Sequence, residues 1–253
     1  CYGFPIREYD NKIPSDLTAE QILIRSGNIG SVRIAQKIGP EKFKSFLEKV
    51  GILNQITFDI EEVAPQKNYK FSKCKLATAS YGHGIATTIL QLAKGYSILS
   101  NGGFEIKPNL ISKNSKKNKK KNRLLNKGVS EQVVSALRKI VSTEEGTAKF
   151  ANVPNYEIGG KTGTADKVLD GEYSDGKVNT FASIFPTSNP KFVFVVMLDG
   201  PQKSKDYYYK YRHMNGGWKG TLKNSAGWTS VEVAGKVIDK IGPILATKYI
   251  EVN

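Results

Sequence analysis

Apolar positions in the first part of the chain recur at helical spacing. Thr18 followed by Gln21 forms a capping box, with Leu17 and Ile22 at the two positions of a hydrophobic staple, and together they predict a short helix over residues 19–25. After the small-residue break Ser26-Gly27-Asn28, the residues Ile29, Val32, Ala35 and Ile38 predict a second helix that ends at Gly39. Pro40 opens a third, carrying Phe43, Phe46, Leu47 and Val50 on one face, and Gly51 stops it. Ser80-Tyr81-Gly82-His83-Gly84 reads as a glycine-rich turn. The helix that follows places Ile89, Leu92, Tyr96 and Leu99 inward and stops at Asn101-Gly102-Gly103. Ser130 is then expected to cap a helix with Val133, Val134, Leu137, Ile140 and Val141 inward.

The second half changes period. Residues 156–165, 178–185 and 192–198 read as strands separated by Gly, Asp, Asn and Pro turns, and the short connection 186–190 favours an antiparallel pair for the last two. A closing helix bears Val231, Ala234, Val237, Ile238 and Ile241. Helices first, an antiparallel sheet next and a final helix on it make an α+β architecture, an antiparallel sheet flanked by helices. Residues 1–145 are expected to be mostly helical, and 146–253 to hold the sheet and the C-terminal helix.

Composition narrows the setting. An apolar content of 39% is enough for a buried core. No stretch approaches the roughly 18 apolar residues of a membrane span, and no secretory signal is legible near the start. The chain opens on Cys1 with sequence that reads like the middle of a protein, so an upstream part carrying any anchor is expected. Cys1 and Cys74 sit in no C-x-x-C or zinc-ligand pattern and are expected to be unpaired thiols; neither a metal nor a cofactor is expected. The formal charge of +15 implies attraction to something anionic, whether nucleic acid, a phospholipid surface or an acidic polymer. Residues 113–123, almost entirely Lys and Asn, are expected to form an exposed, mobile loop.

Two patterns carry chemistry. Gly159-Gly160-Lys161-Thr162-Gly163-Thr164-Ala165 is a strand with almost no bulk, suited to letting another backbone or a ligand lie against it, with Lys161 placing a charge there and the Thr162 and Thr164 hydroxyls able to bond a carboxylate. Ser26-Gly27-Asn28 puts a serine and an asparagine two apart on a short non-helical link, which also reads as an ordinary helix cap. His83 in the glycine turn reads as a packed or solvated loop residue. His213, amid the tyrosines and lysines of 203–212, has no partner at metal-ligand spacing.

Taken together and in order, these segments resemble the class B penicillin-binding proteins, whose signature is S-x-x-K, S-x-N and K-T-G. Ser26-Gly27-Asn28-Ile29-Gly30 is similar to the family's S-S-N-[IV]-G, and Tyr81-Gly82-His83-Gly84 to its [FY]-G-x-G. Gln91-Leu92-Ala93 through Gly103 is similar to its Q-L-A helix ending in N-G-G, Glu145-Gly146-Thr147-Ala148 to its E-G-T-A, and 160–165 to its G-K-T-G-T-A. The resemblance covers nearly the whole chain and is nearest to the septal, division-specific enzymes, with the elongation-specific ones second.

The resemblance implies the C-terminal part of a penicillin-binding protein or serine β-lactamase-like transpeptidase fold, incomplete at its N-terminus. It also implies peptidoglycan D,D-transpeptidation on stem peptides, inhibition by β-lactams, divisome or elongasome membrane partners, and a place at the periplasmic face of the inner membrane. By the same carry-over Ser26 relays a proton, Asn28 holds the substrate amide, Lys161 stabilises the substrate carboxylate and supports the relay, and Thr162, Gly163 and Thr164 line the substrate. The Thr164 backbone N–H supplies half of an oxyanion hole, and Ser26, Asn28 and Lys161 are expected to share one groove.

The nucleophile is the departure. No Ser-x-x-Lys precedes Ser26, and Ser72 with Lys75, Ser174 with Lys177 and Ser188 with Lys191 lie downstream, none expected to open a buried helix. Gly27 also stands where a serine or aspartate is usual. A serine β-lactamase or D,D-carboxypeptidase shares fold and motifs but hands the acyl group to water, and no added carboxylate base for that step is evident. A basic nucleic-acid-binding protein is the alternative from another class; nucleic acid is not the partner expected.

Overall fold

The structure, a computed structural model, describes residues 1, 3, 5–56, 69–110, 122–169, 172–202, 204, 206–209, 218–219 and 224–249. The chain divides into two compact units, Cys1–Leu137 and Arg138–Asn253.

The first unit is helical: α1 (Ala19–Arg25), α2 (Asn28–Ile38), α3 (Pro40–Lys49), α4 (Lys73–Ser80), α5 (Ile89–Ser100) and the opening turns of α6 (Lys127–Ser142). The capping box of α1 is formed as read, with Gln21 N donating to Thr18 Oγ1 at 3.3 Å and Thr18 N donating to Gln21 Oε1 at 2.9 Å. A second box, Thr88 with Gln91, opens α5, and Gln91 Nε2 also donates to Asn54 O at 2.7 Å, tying that helix to the end of the preceding segment. The core of the unit gathers Ile24, Val32, Ala35, Val50, Leu76, Ala77 and Ile98.

Several expectations for this unit are corrected. α4 was not read from the sequence, because Lys73-Cys74-Lys75-Leu76-Ala77-Thr78 buries small residues and has hardly any amphipathic contrast; Ser72 caps it. α3 has the expected span, but of its expected apolar stripe it is Val50, just past the helix end, that is buried, while no residue within Pro40–Lys49 is and Phe46 is 42% exposed. Ser130 does not cap α6. It lies a turn inside, buried, donating to Leu99 O at 2.6 Å and accepting from Gly102 N at 3.1 Å, where it satisfies backbone groups left over at the end of α5. Residues 113–121 of the Lys-Asn run lie outside the described residues. Arg123, at its end, pairs with Phe104 and stacks its guanidinium 4.3 Å from that ring.

The second unit is built on β1 (Gly159–Leu169), β2 (Glu172–Phe185) and β3 (Phe192–Asp199), antiparallel and in that order among the described residues. A two-residue pair, β4 (Tyr208–Tyr209) with β5 (Trp218–Lys219), and α7 (Ser230–Tyr249) complete it. β1 and β2 run past their expected ends into a shared hairpin whose register shifts between Asp166 and Val168. Polar residues carry that extension: Lys177 pairs with Asp166, and Lys167 with Asp199 at 2.9 Å. Alternation of apolar residues cannot report such a ladder.

α7 packs on β2 and β3, closing a core of Phe181, Ile184, Val231, Ala234 and Ile238 at no more than 0% exposure each, with Ile140 and Ile158 equally buried. Burying these seven side chains stabilises the unit by roughly 1.5–3 kcal/mol apiece at the larger residues, before conformational entropy is set against it. Glu232 of α7 is buried too, accepting from Tyr207 OH at 2.8 Å and pairing with Lys236 at 2.8 Å, which fastens the segment after β3 to the helix.

Candidate active site

Ser26, Gly27 and Asn28 form the junction of α1 and α2. Ser26 ends α1 in the left-handed region, φ 57°, ψ 42°, a conformation that costs a residue with a side chain about 1–2 kcal/mol unless its surroundings hold it. Those surroundings come from residues 7–12. Tyr9 OH donates to Arg25 O at 2.9 Å, and Arg25 Nη2 donates to Lys12 O at 3.1 Å. Gly27 has no side chain with which to cap α2, and the Glu8 carboxylate takes that place, accepting from Asn28 N at 2.6 Å and Ile29 N at 3.0 Å. The Asn28 amide is oriented as well, since Nδ2 donates to Arg7 O at 2.9 Å and Oδ1 therefore faces the other way. The cap was expected from the Ser26-Gly27-Asn28 triplet itself. Glu8 lies 20 positions before Asn28, beyond the reach of any local pattern.

The glycine turn follows α4 in the same unit, with Gly82 at φ +101° and Gly84 at φ +80°. His83 N donates to Thr78 O at 3.0 Å, and its ring lies 5.3 Å from that of Tyr81. His83 is thus a half-buried loop residue packed on a tyrosine.

Lys161, Thr162, Gly163 and Thr164 lie on β1. β1 is an edge strand among the described residues, so alternate N–H and C=O groups point away from β2. Gly160 lets the strand lie close: a Cβ there would come within 2.6 Å of both Ala182 O and the Phe181 ring. In register with β2, Lys161 stands opposite Ala182 on one face, while Thr162 and Thr164 stand opposite Phe181 and Asn179 on the other. Gly163 and Thr164 are exposed. Lys161 is half-buried as a residue, but its ammonium end is the desolvated part, and burial pulls its pKa down from 10.5 to about 8. Its Nζ donates to Thr162 O at 3.0 Å. A lysine tuned this way exchanges its proton near neutral pH, as an ordinary surface lysine does not.

The two threonine hydroxyls have partners that sequence reasoning did not foresee. Thr162 Oγ1 lies 2.8 Å from Thr147 Oγ1, and Thr164 Oγ1 accepts from Ala226 N at 2.9 Å. Thr147 belongs to the Glu145-Gly146-Thr147-Ala148 turn after α6, and Ala226 begins the 3-10 turn Ala226–Trp228 ahead of α7.

The three Ser-x-x-Lys matches do not have the layout of a nucleophile. Ser72 does open a helix, contrary to expectation, but as an exposed cap whose Oγ accepts from Lys75 N, with the Lys75 side chain in solvent. Ser174 lies on β2 and donates to Lys167 O at 3.0 Å. Ser188 sits exposed in the β2–β3 turn, its N donating to Glu157. Ser26 and Asn28 thus fall in the first unit, and Lys161, Thr162, Gly163 and Thr164 in the second. His213 lies outside the described residues, among which no cluster of His, Cys, Asp or Glu could hold a metal ion and no helix is long and apolar enough to cross a membrane.

Known proteins resemble this chain over most of its length. The family described as the penicillin binding protein transpeptidase domain matches residues 2–215. A peptidoglycan D,D-transpeptidase FtsI homolog of Mesostigma viride is 32% identical over 74% of this chain and 36% of its own length. A probable peptidoglycan D,D-transpeptidase FtsI of Caulobacter vibrioides is 27% identical over 92% of this chain and 39% of its own. The chain therefore spans between a third and two fifths of the length of these relatives. Among solved structures, penicillin-binding protein 3 of Mycobacterium tuberculosis complexed with ampicillin matches the fold with a TM-score of 0.74 at 23% identity, covering 97% of this chain and 54% of that one.

Proposed function

Because the chain belongs to the penicillin-binding protein transpeptidase domain family, we propose that the whole protein is a serine D,D-transpeptidase cross-linking peptidoglycan stem peptides during septal cell-wall synthesis. In this reading a serine of a Ser-x-x-Lys motif outside these residues attacks the penultimate D-Ala carbonyl. The tetrahedral intermediate collapses with expulsion of the terminal D-Ala, and the acyl group passes to an amine of a neighbouring stem peptide, which displaces the serine oxygen. The observation that carries the reading is the Lys161 strand, a sheet edge among the described residues that holds glycine and hydroxyls next to an amine whose burial lowers its pKa to about 8. Such an edge suits an extended peptide ending in a carboxylate.

Each residue then has a role. Lys161, as a cation, stabilises the carboxylate of the stem peptide, and its shifted pKa suits it to support proton movement as well. Thr162 and Thr164 bind the same carboxylate, Gly163 keeps the edge clear, and the Thr164 N–H stabilises the oxyanion. Ser26 relays the proton between leaving group and nucleophile, held in its left-handed turn for that purpose, and Asn28 holds the substrate amide through the Oδ1 that its bond to Arg7 leaves available. The division role is supported by the FtsI names of two relatives, and β-lactam binding by the ampicillin complex of the fold neighbour. Anchoring at the periplasmic face, through a segment outside these residues, and association with division proteins follow from the same reading.

The test is the rate at which the whole protein is acylated by a fluorescent penicillin. Lys161→Ala and Ser26→Ala should each slow acylation by roughly 10²- to 10⁴-fold, the range for a positioned proton-transfer or charge-stabilising group. Thr164→Val should cost less, because the oxyanion donor is the backbone N–H, which the change leaves in place. Unchanged labelling of Lys161→Ala would remove the site from this strand.

A further inference from the structure

The hydroxyls of Thr162 and Thr164 are each held by one group, and together those groups decide where the threonine protons go. A backbone amide can only donate, so the 2.9 Å contact from Ala226 N makes Thr164 Oγ1 an acceptor and leaves its own hydrogen to be given elsewhere. Thr162 Oγ1 meets Thr147 Oγ1 at 2.8 Å, where either oxygen can donate. The two supporting elements are themselves in close contact. A Cβ at Gly227 would come within 2.6 Å of Thr147 O, so only glycine lets the 3-10 turn Ala226–Trp228 lie against the turn that carries Thr147. The result is one wall with two supports, each reaching one hydroxyl on the same face of β1.

We propose that Thr147 is a positioning residue that donates to Thr162, so that Thr162 and Thr164 both present O–H donors to a single carboxylate. Spacing favours this use. Residues two apart on a strand are roughly 6.6–6.8 Å apart along it, which a carboxylate bridges by taking one O–H···O bond of about 2.5–2.7 Å at each oxygen. If Thr162 instead gave its proton to Thr147, it would turn a lone pair toward an anion, and the pair would repel the ligand that Thr164 attracts. The inference rests on the reading of β1 as the carboxylate-binding strand and adds the residue that sets the polarity of that site.

The experiment compares acylation of the whole protein by a penicillin carrying its free carboxylate with acylation by the methyl ester of the same penicillin. Thr147→Val keeps the shape but removes the donor, and should slow the free acid about five- to tenfold while leaving the slower ester reaction unchanged. Thr147→Ser, which keeps a hydroxyl, should restore the free-acid rate. Equal slowing of acid and ester would assign Thr147 a merely structural part and overturn the proposal, as would a free-acid rate unaffected by Thr147→Val when Thr162→Val slows it. If Thr162→Val itself leaves the free-acid rate unchanged, Thr162 does not bind the carboxylate and the proposal fails; if Lys161→Ala and Thr164→Val leave it unchanged as well, the underlying reading of β1 fails with it.

Discussion

Removing the Glu8 carboxylate should loosen the α1–α2 junction before it affects anything else. Glu8 accepts from Asn28 N at 2.6 Å and Ile29 N at 3.0 Å, at the start of an 11-residue helix whose cap residue, Gly27, contributes no side chain. Loss of a helix cap costs about 0.5–2 kcal/mol, and loss of a negative charge at the helix N-terminus about 0.3–1 kcal/mol more. Glu8 is half-buried, so partial screening places Glu8→Ala near 2 kcal/mol, and Glu8→Gln, which keeps one acceptor but no charge, near 1 kcal/mol. For a chain of this length 2 kcal/mol lowers the melting temperature by about 4–8 °C if unfolding is cooperative. The sharper assay is native-state amide exchange, in which the same free energy accelerates exchange at Asn28 and Ile29 about 30-fold. Amides of α5, capped by its own Thr88, should change less. If exchange at Asn28 and Ile29 is unaltered in Glu8→Ala, the carboxylate does not cap α2 and the junction owes its geometry to something else.

Further outcomes follow from the same reasoning. Lys161 loses its proton at about 8 in the fold against 10.5 ordinarily, so it weakens the folded state below pH 8, and that cost is relieved as pH rises from about 8 toward 10.5. If its cation binds the carboxylate, the second-order acylation rate should fall along a limb centred near pH 8, and Lys161→Arg should abolish that limb; a limb that survives the substitution belongs to another group. Ser130→Ala should cost about 1–3 kcal/mol, read by chemical denaturation, because it removes a buried hydroxyl that serves the half-buried Leu99 carbonyl and Gly102 amide; a change below 0.5 kcal/mol, roughly the scatter of a surface substitution, would show that the bridge is dispensable.

Local chemistry was the legible part of this chain. The Thr18 and Gln21 box, the stop at Gly39 and the bulk-free strand around Lys161 are written in residues a few positions apart, and the elements follow them closely. α4 escaped because Ala77, Ala79 and Leu76 bury without an amphipathic rhythm, and Ser130 was mistaken for a cap because the carbonyl and amide that need its hydroxyl are 31 and 28 residues away. The site divided along the same line. Ser26, Asn28, Lys161, Thr162 and Thr164 announce themselves as motifs, whereas Glu8 acts on Asn28, Thr147 on Thr162 and the Ala226 amide on Thr164, across separations of 20, 15 and 62 residues. Hydrophobic period carries no information about such polar partners, since each is chosen by the fold and not by its neighbours in sequence.

Where a penicillin becomes attached decides most directly whether these residues are the substrate-binding part of a serine acyltransferase. The whole protein is labelled with the antibiotic, digested, and the adduct located by mass spectrometry. The expected adduct lies on the serine of a Ser-x-x-Lys motif outside residues 1–253, and its yield falls sharply in Lys161→Ala. An adduct on Ser72, Ser174 or Ser188, or a whole protein that takes up no penicillin, contradicts the assignment.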